Sequence, residues 1–519
     1  MQPSWRRSLV VVLLLTACTV YNTPQVSEVP RPGLADSALV LTPVKAHLLD
    51  GSTVVFPRGI RVVHGMVSSA IGVAHLRYGL NLKDSAWTST IPLDSVLGFE
   101  TFRDAVNTPA SIGLTLLGTA GTVVGTAALA VAIFGSCPTV YTDSAGTPTL
   151  EAEGFSYSIA PLFEGRDVDL LHGTPDPAGA FRLEVRNEAL ETHYINQLGM
   201  LQVTRGPTET VLPSPGGAPL AVRDHIPPAA AYDRAGRDVR DDFAADGRAF
   251  SSAEAVLDRV TAEDATDAID LTFPRPVGQD TAVLVLRMRN SLLNTVLLYD
   301  LMLRDPGLRS LDWVGRDLQQ IGTAARLGEW YARNFGMRVA VRDGDRLREV
   351  GRVGDAGPIA WKDVAVLVPV PAGTDSLRIR LSFVADDWRI DGIELARAWR
   401  HLAPRTLVPI RVVDSAGRAD TAALASLRDA DTRYLMTQPG NRFFLGFAPA
   451  PAPADSVSTF LLVSQGYYIE WLRGSWVRPH LTGAAFRPTE DAIVEALHRW
   501  RRQAPEFERR FYATRFPVR

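Results

Sequence analysis

PASIGLTLLGTAGTVVGTAALAVAIF, residues 109–134, carries no charged side chain and divides the chain in two. Thr108 and Pro109 have the form of an N-cap followed by proline at the first helical position, and Gly135 with Pro138 supplies the matching stop. A helix of 26 residues, rising ~1.5 Å per residue, is roughly 39 Å long and exceeds a hydrocarbon core of ~30 Å. Gly118, Thr122, Thr126 and Ala130 recur at helical spacing beside Gly121 and Gly125, a GxxxG pair that lets a second backbone approach. The stretch reads as a helix in or on a membrane, or as one buried in the protein or in an oligomer interface. Its flanks conflict with a simple span. Arg103 precedes it and no Lys or Arg follows before Arg166, which puts the N-terminal side in the cytoplasm, whereas an exported chain needs the reverse.

Toward the N-terminus, Arg6 and Arg7 precede the apolar run Leu9 to Leu15 and then Thr16-Ala17-Cys18, the arrangement of a secretory signal peptide. Leu15-Thr16-Ala17-Cys18 resembles the bacterial lipobox, which implies cleavage before Cys18 and diacylation of that cysteine. Residues 18–36, with Pro24, Pro30, Pro32 and Gly33, read as an extended tether. From Leu39 to Phe102 short alternating segments with turn signals at Asp50-Gly51 and His64-Gly65 predict a five- or six-stranded small barrel or curled sheet. If Cys18 carries lipid, Cys137 has no intramolecular partner, and a disulfide framework is excluded.

The 519 residues are 46% hydrophobic and 21% charged with net charge −3, the composition of a folded protein. Lysine occurs only at positions 45, 83 and 362, and the arginines form no nucleic-acid-binding cluster. Cys137-Pro138-Thr139-Val140-Tyr141, Phe181 to Asn187, Glu191-Thr192-His193-Tyr194-Ile195 and Gly466-Tyr467-Tyr468-Ile469-Glu470-Trp471 resemble, in short patches, a family of uncharacterised bacterial exported proteins with a Cys-Pro-x-Val-Tyr opening. The resemblance implies a β-rich protein of the periplasm or cell surface and brings no activity with it.

Leu311, Val314, Leu318, Ile321, Ala325 and Trp330 predict an amphipathic helix over 308–335, closed by Gly336 and packed on a sheet. Trp388 to Leu395 is weakly similar to the last strands of sugar-binding jelly rolls. Pro488 to Asp491 opens a C-terminal helix that should stop before Pro505. One internal match joins distant parts: Leu183, Arg186, Asn187, Leu190, Thr192, Ile195 and Leu198 recur as Leu286, Arg289, Asn290, Leu293, Thr295, Leu298 and Leu301, which predicts the same strand-turn-strand unit twice.

No HExxH, GxSxG, P-loop or strand-borne GxGxxG is present, and the nine histidines lack metal-ligand spacing. Asp238, Asp242 and Asp246 form an acidic loop able in principle to hold calcium, although Arg237, Arg240 and Arg248 interleave as ion-pair partners; Asp386, Asp387 and Asp391 form a second such group. Trp388, Tyr467, Tyr468 and Trp471 could form a platform for sugar rings or belong to a core.

The expected fold is thus mainly β with some helices: a small N-terminal β module, one long apolar helix and a jelly-roll-like C-terminal β-sandwich region. The expected divisions are a signal peptide (1–17), tether (18–36), β module (37–104), apolar helix (109–134), β-rich region (136–395) and C-terminal β-rich segment with a terminal helix (396–519). The expected role is that of a membrane-anchored cell-envelope lipoprotein, a structural or interaction module and not an enzyme, without cofactor. The alternative is a carbohydrate- or peptide-binding sandwich of the cell surface. Partners are membrane lipid through Cys18 and an envelope protein or glycan, with no nucleic acid.

Overall fold

Where a strand is covered on one face its hydrophobic residues alternate, and where it is covered on both they run on without a break. Both patterns occur in this chain. The computed structural model describes residues 22–29, 38–40, 44–48, 53–56, 59–70, 75–78, 86–88 and 90–106, and then 138–513 apart from 145–146, 190, 245–247, 308, 311–312, 314–316, 320, 432, 438–439 and 471–482. The helix expected at 109–134 with Gly121 and Gly125, the lipidation site Cys18, and Cys137, Asp246 and Trp471 lie outside the described residues. Among the described residues no helix is long and apolar enough to cross a membrane.

The N-terminal module is two sheets and not one. Asn22–Val29, Val96–Val106, Val44–Leu48, Thr53–Phe56, His75–Tyr78 and Ala86–Thr88 form a six-stranded sheet in that order, while Leu39–Val40, Ile60–Val63, Met66–Ser69 and Thr90–Pro92 form a four-stranded one. Val44, Val54, Phe56, Ile60, Val62 and Val67 fill one core. At the predicted turn His64 and Gly65 have φ of 49° and 70°, the paired left-handed conformations of a two-residue hairpin. Asn22–Val29 lies inside the stretch read as a tether; it is the outer strand of its sheet, the position where proline is tolerated because no neighbour needs its N–H.

Among the described residues the rest is built from four stacked antiparallel sheets. The first contains Thr147–Glu153, Thr139–Ser144, Phe181–Arg186, Arg442–Phe447 and Arg411–Asp414; the second Gly165–Leu171, Val457–Glu470, Glu191–Arg205 and Arg405–Leu407, with Leu435–Thr437 also on Glu191–Arg205. The third contains Thr210–Pro213, Pro219–Ile226, Trp388–His401, Thr281–Asn290 and Lys362–Pro369; the fourth Ala230–Asp233, Thr266–Pro274, Ser376–Val384, Met337–Asp343 and Arg346–Val353. The first two close one sandwich over Val140, Leu183, Leu198, Phe460 and Leu462, and the last two a second over Leu271, Leu286, Ile379, Leu381 and Ile393. Leu461, Val463, Leu201 and Val203, the alternate residues of the same second-sheet strands, pack on Val211 and Ala221 of the third sheet. The run Phe460-Leu461-Leu462-Val463 is continuous because this strand faces a core on each side.

The second sandwich is inserted in the first. The chain leaves the second sheet at Arg205, builds residues 210–401, and re-enters at Arg405. Strand Trp388–His401 therefore runs through the division expected at 395/396. At the neck Arg400 pairs with Glu209 at 2.6 Å, and that guanidinium, with the Gly206 N–H, holds the Glu209 carboxyl down to about 2.

Helices cover one end of both sandwiches. The predicted amphipathic helix is shorter than expected, Ile321–Asn334 with a 3-10 turn at Asp317–Gln319, and it ends at Gly336, whose φ is +80°. Residues 293–304 are helical as well. This overturns the internal repeat: Phe181–Arg186 and Thr281–Asn290 are both strands, but Glu191–Arg205 is a strand where its counterpart is a helix. A fully apolar run suits a buried helix as readily as a buried strand, and Leu293, Val296, Leu297 and Leu301 are buried among helices. The C-terminal helix Glu490–Ala513 continues through Pro505; Phe507 packs edge-on against Trp500 beyond the proline, so burial there offsets the lost hydrogen bond.

Gly466 opposes Ile195 where Asn196 bulges from its strand. A β-carbon on Gly466 would come within 2.4 Å of the Tyr194 carbonyl oxygen and 2.9 Å of the Phe155 ring. Gly466→Ala should therefore destabilise the first sandwich by about 1–3 kcal/mol, read as a lower urea midpoint; an unchanged midpoint would refute this packing.

Candidate functional site

Gly165–Leu171 is an edge strand of the second sheet, and the third sheet curls so that its own two edge strands, Thr210–Pro213 and Lys362–Pro369, approach each other beneath it. The seam between the sandwiches opens into a cavity of about 440 Å³. Arg166 and Asp167 come from the edge strand, the turn Ser214–Gly217 from the third sheet, Tyr331 and Phe335 from the end of the amphipathic helix, and Arg352, Gly354, Asp355 and Lys362 from the second sandwich.

Alternation along a strand sets Asp167 and Asp169 on one face. Lys362 reaches both: its Nζ contacts Asp167 Oδ1 and lies 2.9 Å from Asp169 Oδ1. All three are nearly enclosed. Burial alone would depress the lysine, but the two carboxylates outweigh it and raise the ammonium's pKa. Asp169 is pushed up to about 7 by burial and by the charge of Asp167, against the pull of Lys362.

The second polar group lies at the cavity floor. Tyr331 donates its hydroxyl to Asp355 Oδ2, Asn290 Nδ2 donates to Asp355 Oδ1 at 3.3 Å, and Asn294 Nδ2 donates to the Tyr331 oxygen at 3.0 Å. Asn290 Oδ1 in turn accepts from the N–H groups of Ala356 and Gly357 at 2.8 and 3.2 Å. Burial pushes the Asp355 carboxyl up to about 7, against the two donors. Asp387, fully buried behind it, is raised well above the carboxylate range by burial and by the charge of Asp355. Burial and Asp355 likewise push the Tyr331 hydroxyl upward.

These shifts have a definite sign. An Asp that ionises near ~3.9 when unfolded but at about 7 when folded gives the native state a proton that the unfolded chain has lost. Its stabilisation is complete below the unfolded pKa and vanishes as pH rises to about 7. Asp355→Asn should therefore remove on the order of 2–4 kcal/mol of pH-dependent stability. Thermal midpoints between pH 5 and 8 are the check; a variant with the wild-type slope would show that Asp355 does not carry it.

The residues singled out from sequence are placed otherwise. Trp388, Tyr467 and Tyr468 are each 0% exposed. Tyr467 stacks on Tyr194 with centroids 4.6 Å apart, and the Tyr468 N–H donates to the Ser158 carbonyl at 2.8 Å. Both faces of the second sheet are covered at the two tyrosines, and Trp388, on the third sheet, lies in the core of the second sandwich, so these rings offer no stacking face; Trp471 lies outside the described residues. Asp238 is held by Arg240, whose guanidinium and backbone N–H draw its pKa down, and Asp242 is raised by partial burial. Asp386 pairs with Arg389 at 2.7 Å and Asp391 with Arg287 at 3.4 Å. Ion pairing occupies Asp238, Asp386 and Asp391, and among the described residues no three or more His, Cys, Asp or Glu converge as metal ligands. His193 is buried beside Glu191 at 3.2 Å, and His225 bonds Glu394 at 2.8 Å.

Fold and site define a protein of two nested β-sandwiches with a cavity of mixed polar and apolar lining in the seam. The chain matches no family model and no curated protein. Among solved structures, the C-terminal CBM6 of a marine laminarinase from Zobellia galactanivorans is similar at 10% identity over 38% of this chain and 98% of that one, with a TM-score of 0.14. A GH31 alpha-xylosidase from Xanthomonas citri aligns at 10% identity over 83% of this chain and 38% of that one, TM-score 0.15. An exo-beta-1,3-galactanase from Phanerochaete chrysosporium aligns at 9% identity over 69% and 82%, TM-score 0.16. Scores of this size lie below those of a shared fold, and the site is read from its own residues.

Proposed function

We propose that this chain is a ligand-binding protein of the cell envelope, anchored through lipid on Cys18, that holds a small polar organic molecule between its two sandwiches. The observation that carries the reading is the seam cavity: its volume of about 440 Å³ falls in the range of small-molecule sites, roughly 300–1,000 Å³, and charged groups from both sandwiches converge on it. A saccharide or short peptide fits this chemistry better than a flat protein partner, because the polar groups line a concavity and not a face. The buried aromatic residues do not enter the reading. The anchor rests on the order of basic, apolar and lipobox residues in 1–18, and Cys18→Ser should abolish acyl labelling of the chain in cells.

Gly354 lines the cavity, is exposed, and would meet nothing within 4 Å if it carried a β-carbon. Gly354→Trp should fill the mouth while leaving the fold intact. The full chain in detergent would be titrated calorimetrically with neutral and acidic monosaccharides, disaccharides and dipeptides, alongside this variant. Saturable binding by a panel member, lost in Gly354→Trp at an unchanged melting temperature, is expected. Binding that survives the plug, or no binding at millimolar ligand, would overturn the assignment.

A further inference from the structure

We infer that the seam cavity selects an organic anion, its carboxylate or phosphate held by Arg166 and Arg352 and its carbon skeleton lying on the apolar wall; this rests on the cavity being the binding site.

The accessible charge in the cavity is cationic. Arg166 is exposed, lines the space, and has no carboxylate partner among the described residues. Arg352 also lines it. The carboxylates of the lining are used inside the protein: Asp167 is buried against Lys362, and Asp355 accepts from Tyr331 and Asn290. Burial pushes Asp355 up to about 7, which weakens its pull on the guanidinium groups.

Both arginines are also seated. Arg352 Nη1 donates to the Ala332 carbonyl near the end of the amphipathic helix, while its only ion-pair partner among the described residues is Glu349, half exposed and 3.5 Å away. Arg166 lies against the turn Ser214–Gly217. A β-carbon on Gly217, whose φ is +79°, would fall 3.2 Å from Arg166 Nη1 and 2.6 Å from Val168 Cγ2, so glycine there leaves the space that the guanidinium occupies. A planar fork presented this way matches the two oxygens of a carboxylate or phosphate and gains little from a neutral hydroxyl. Val168, Phe335, Val353 and Val364 supply an apolar wall, which favours an anion with a carbon body over an inorganic one.

The test compares matched probes on the full chain in detergent: galacturonate, its neutral methyl ester, galactose and galactose 6-phosphate, by titration calorimetry. Galacturonate or the phosphate should bind at least about tenfold more tightly than its neutral counterpart, the loss expected when a charge-assisted contact is removed. Arg166→Gln, which alters an exposed side chain, should erase that difference at an unchanged melting temperature, and Arg352→Gln should reduce it. The preferred acid identifies which anion the fork takes. Equal affinity for acid and neutral probes, with Gly354→Trp still blocking both, would overturn the anion selection and leave the binding site standing. Absence of binding by all four probes would overturn the anion selection, and absence of binding by the wider panel of saccharides and dipeptides as well would overturn both.

Discussion

Lys362→Met should destabilise the protein by about 3–5 kcal/mol, the scale set when one member of a buried ion cluster is removed and its partners are left without a counter-charge. The methionine keeps the length of the lysine stem, so little packing is lost. What remains is Asp167 beside Asp169, two enclosed carboxyl groups on one strand face with no cation between them. The same contacts tie the edge strand of one sandwich to the edge strand of the other, so the seam itself should loosen. Urea unfolding followed by tryptophan fluorescence measures the loss. Adding Asp167→Asn and Asp169→Asn to the variant should restore most of it, since an all-neutral site has no uncompensated charge. A single variant within 1 kcal/mol of wild type would mean that water reaches these groups and that the seam does not depend on them.

Trp500→Ala should cost a comparable amount, about 3–5 kcal/mol, but locally. The indole is 1% exposed in the helical layer, and its Nε1 donates to Asp386 Oδ2 at 2.6 Å. Asp386 sits at the left-handed turn before strand Trp388–His401, with φ of +59°, so this bond fastens the C-terminal helix to the second sandwich. Arg499 adds a pair to Asp305 outside the helix at 2.7 Å and one to Glu495 within it. Without the indole the helix should detach, and trypsin should cut at Arg501 and Arg502 well before it reaches the sandwiches. Trp500→Phe keeps most of the ring and loses the charge-assisted bond, so its cost should be nearer 1–3 kcal/mol. Protection of the helix from trypsin in Trp500→Ala would place its anchorage elsewhere.

The features legible in the sequence are those decided locally. His64-Gly65 and Gly336 mark a hairpin and a helix stop because each backbone conformation is a property of its own residues. Alternation gave the β class. What could not be read is set by distant chain: whether 291–304 is strand or helix, and whether Tyr467 and Tyr468 have a covered face. The cavity combines residues between 157 and 364, and no window contains it. Two signals for it were nonetheless present. Asp167 and Asp169 alternate on one strand, and Lys362 is a lysine in a chain that otherwise uses arginine almost throughout. The run Phe460-Leu461-Leu462-Val463 likewise carries the mark of burial on both faces, which argues for a stack of sheets and against a single sandwich with one face open to solvent.

The insertion of one sandwich in the other fixes an order of events for a chain made from its N-terminus. Strand Glu191–Arg205 is synthesised early, yet its neighbour Val457–Glu470 arrives only after the whole insertion; Gln202 and Ser458, bonded in the native sheet, are 256 positions apart. Until then the strand is an apolar edge without its main partner, the kind of segment that pairs with the wrong chain. Residues 210–401 contain both of their own sheets and can collapse first. Once they have, Glu209 and Arg400 bring the two ends of the insertion together, and a closure across some two hundred residues becomes a closure across a short link, at a lower entropic cost. Slowing the inner sandwich should therefore lower the yield of the outer one, even when every residue of the outer sandwich is wild type.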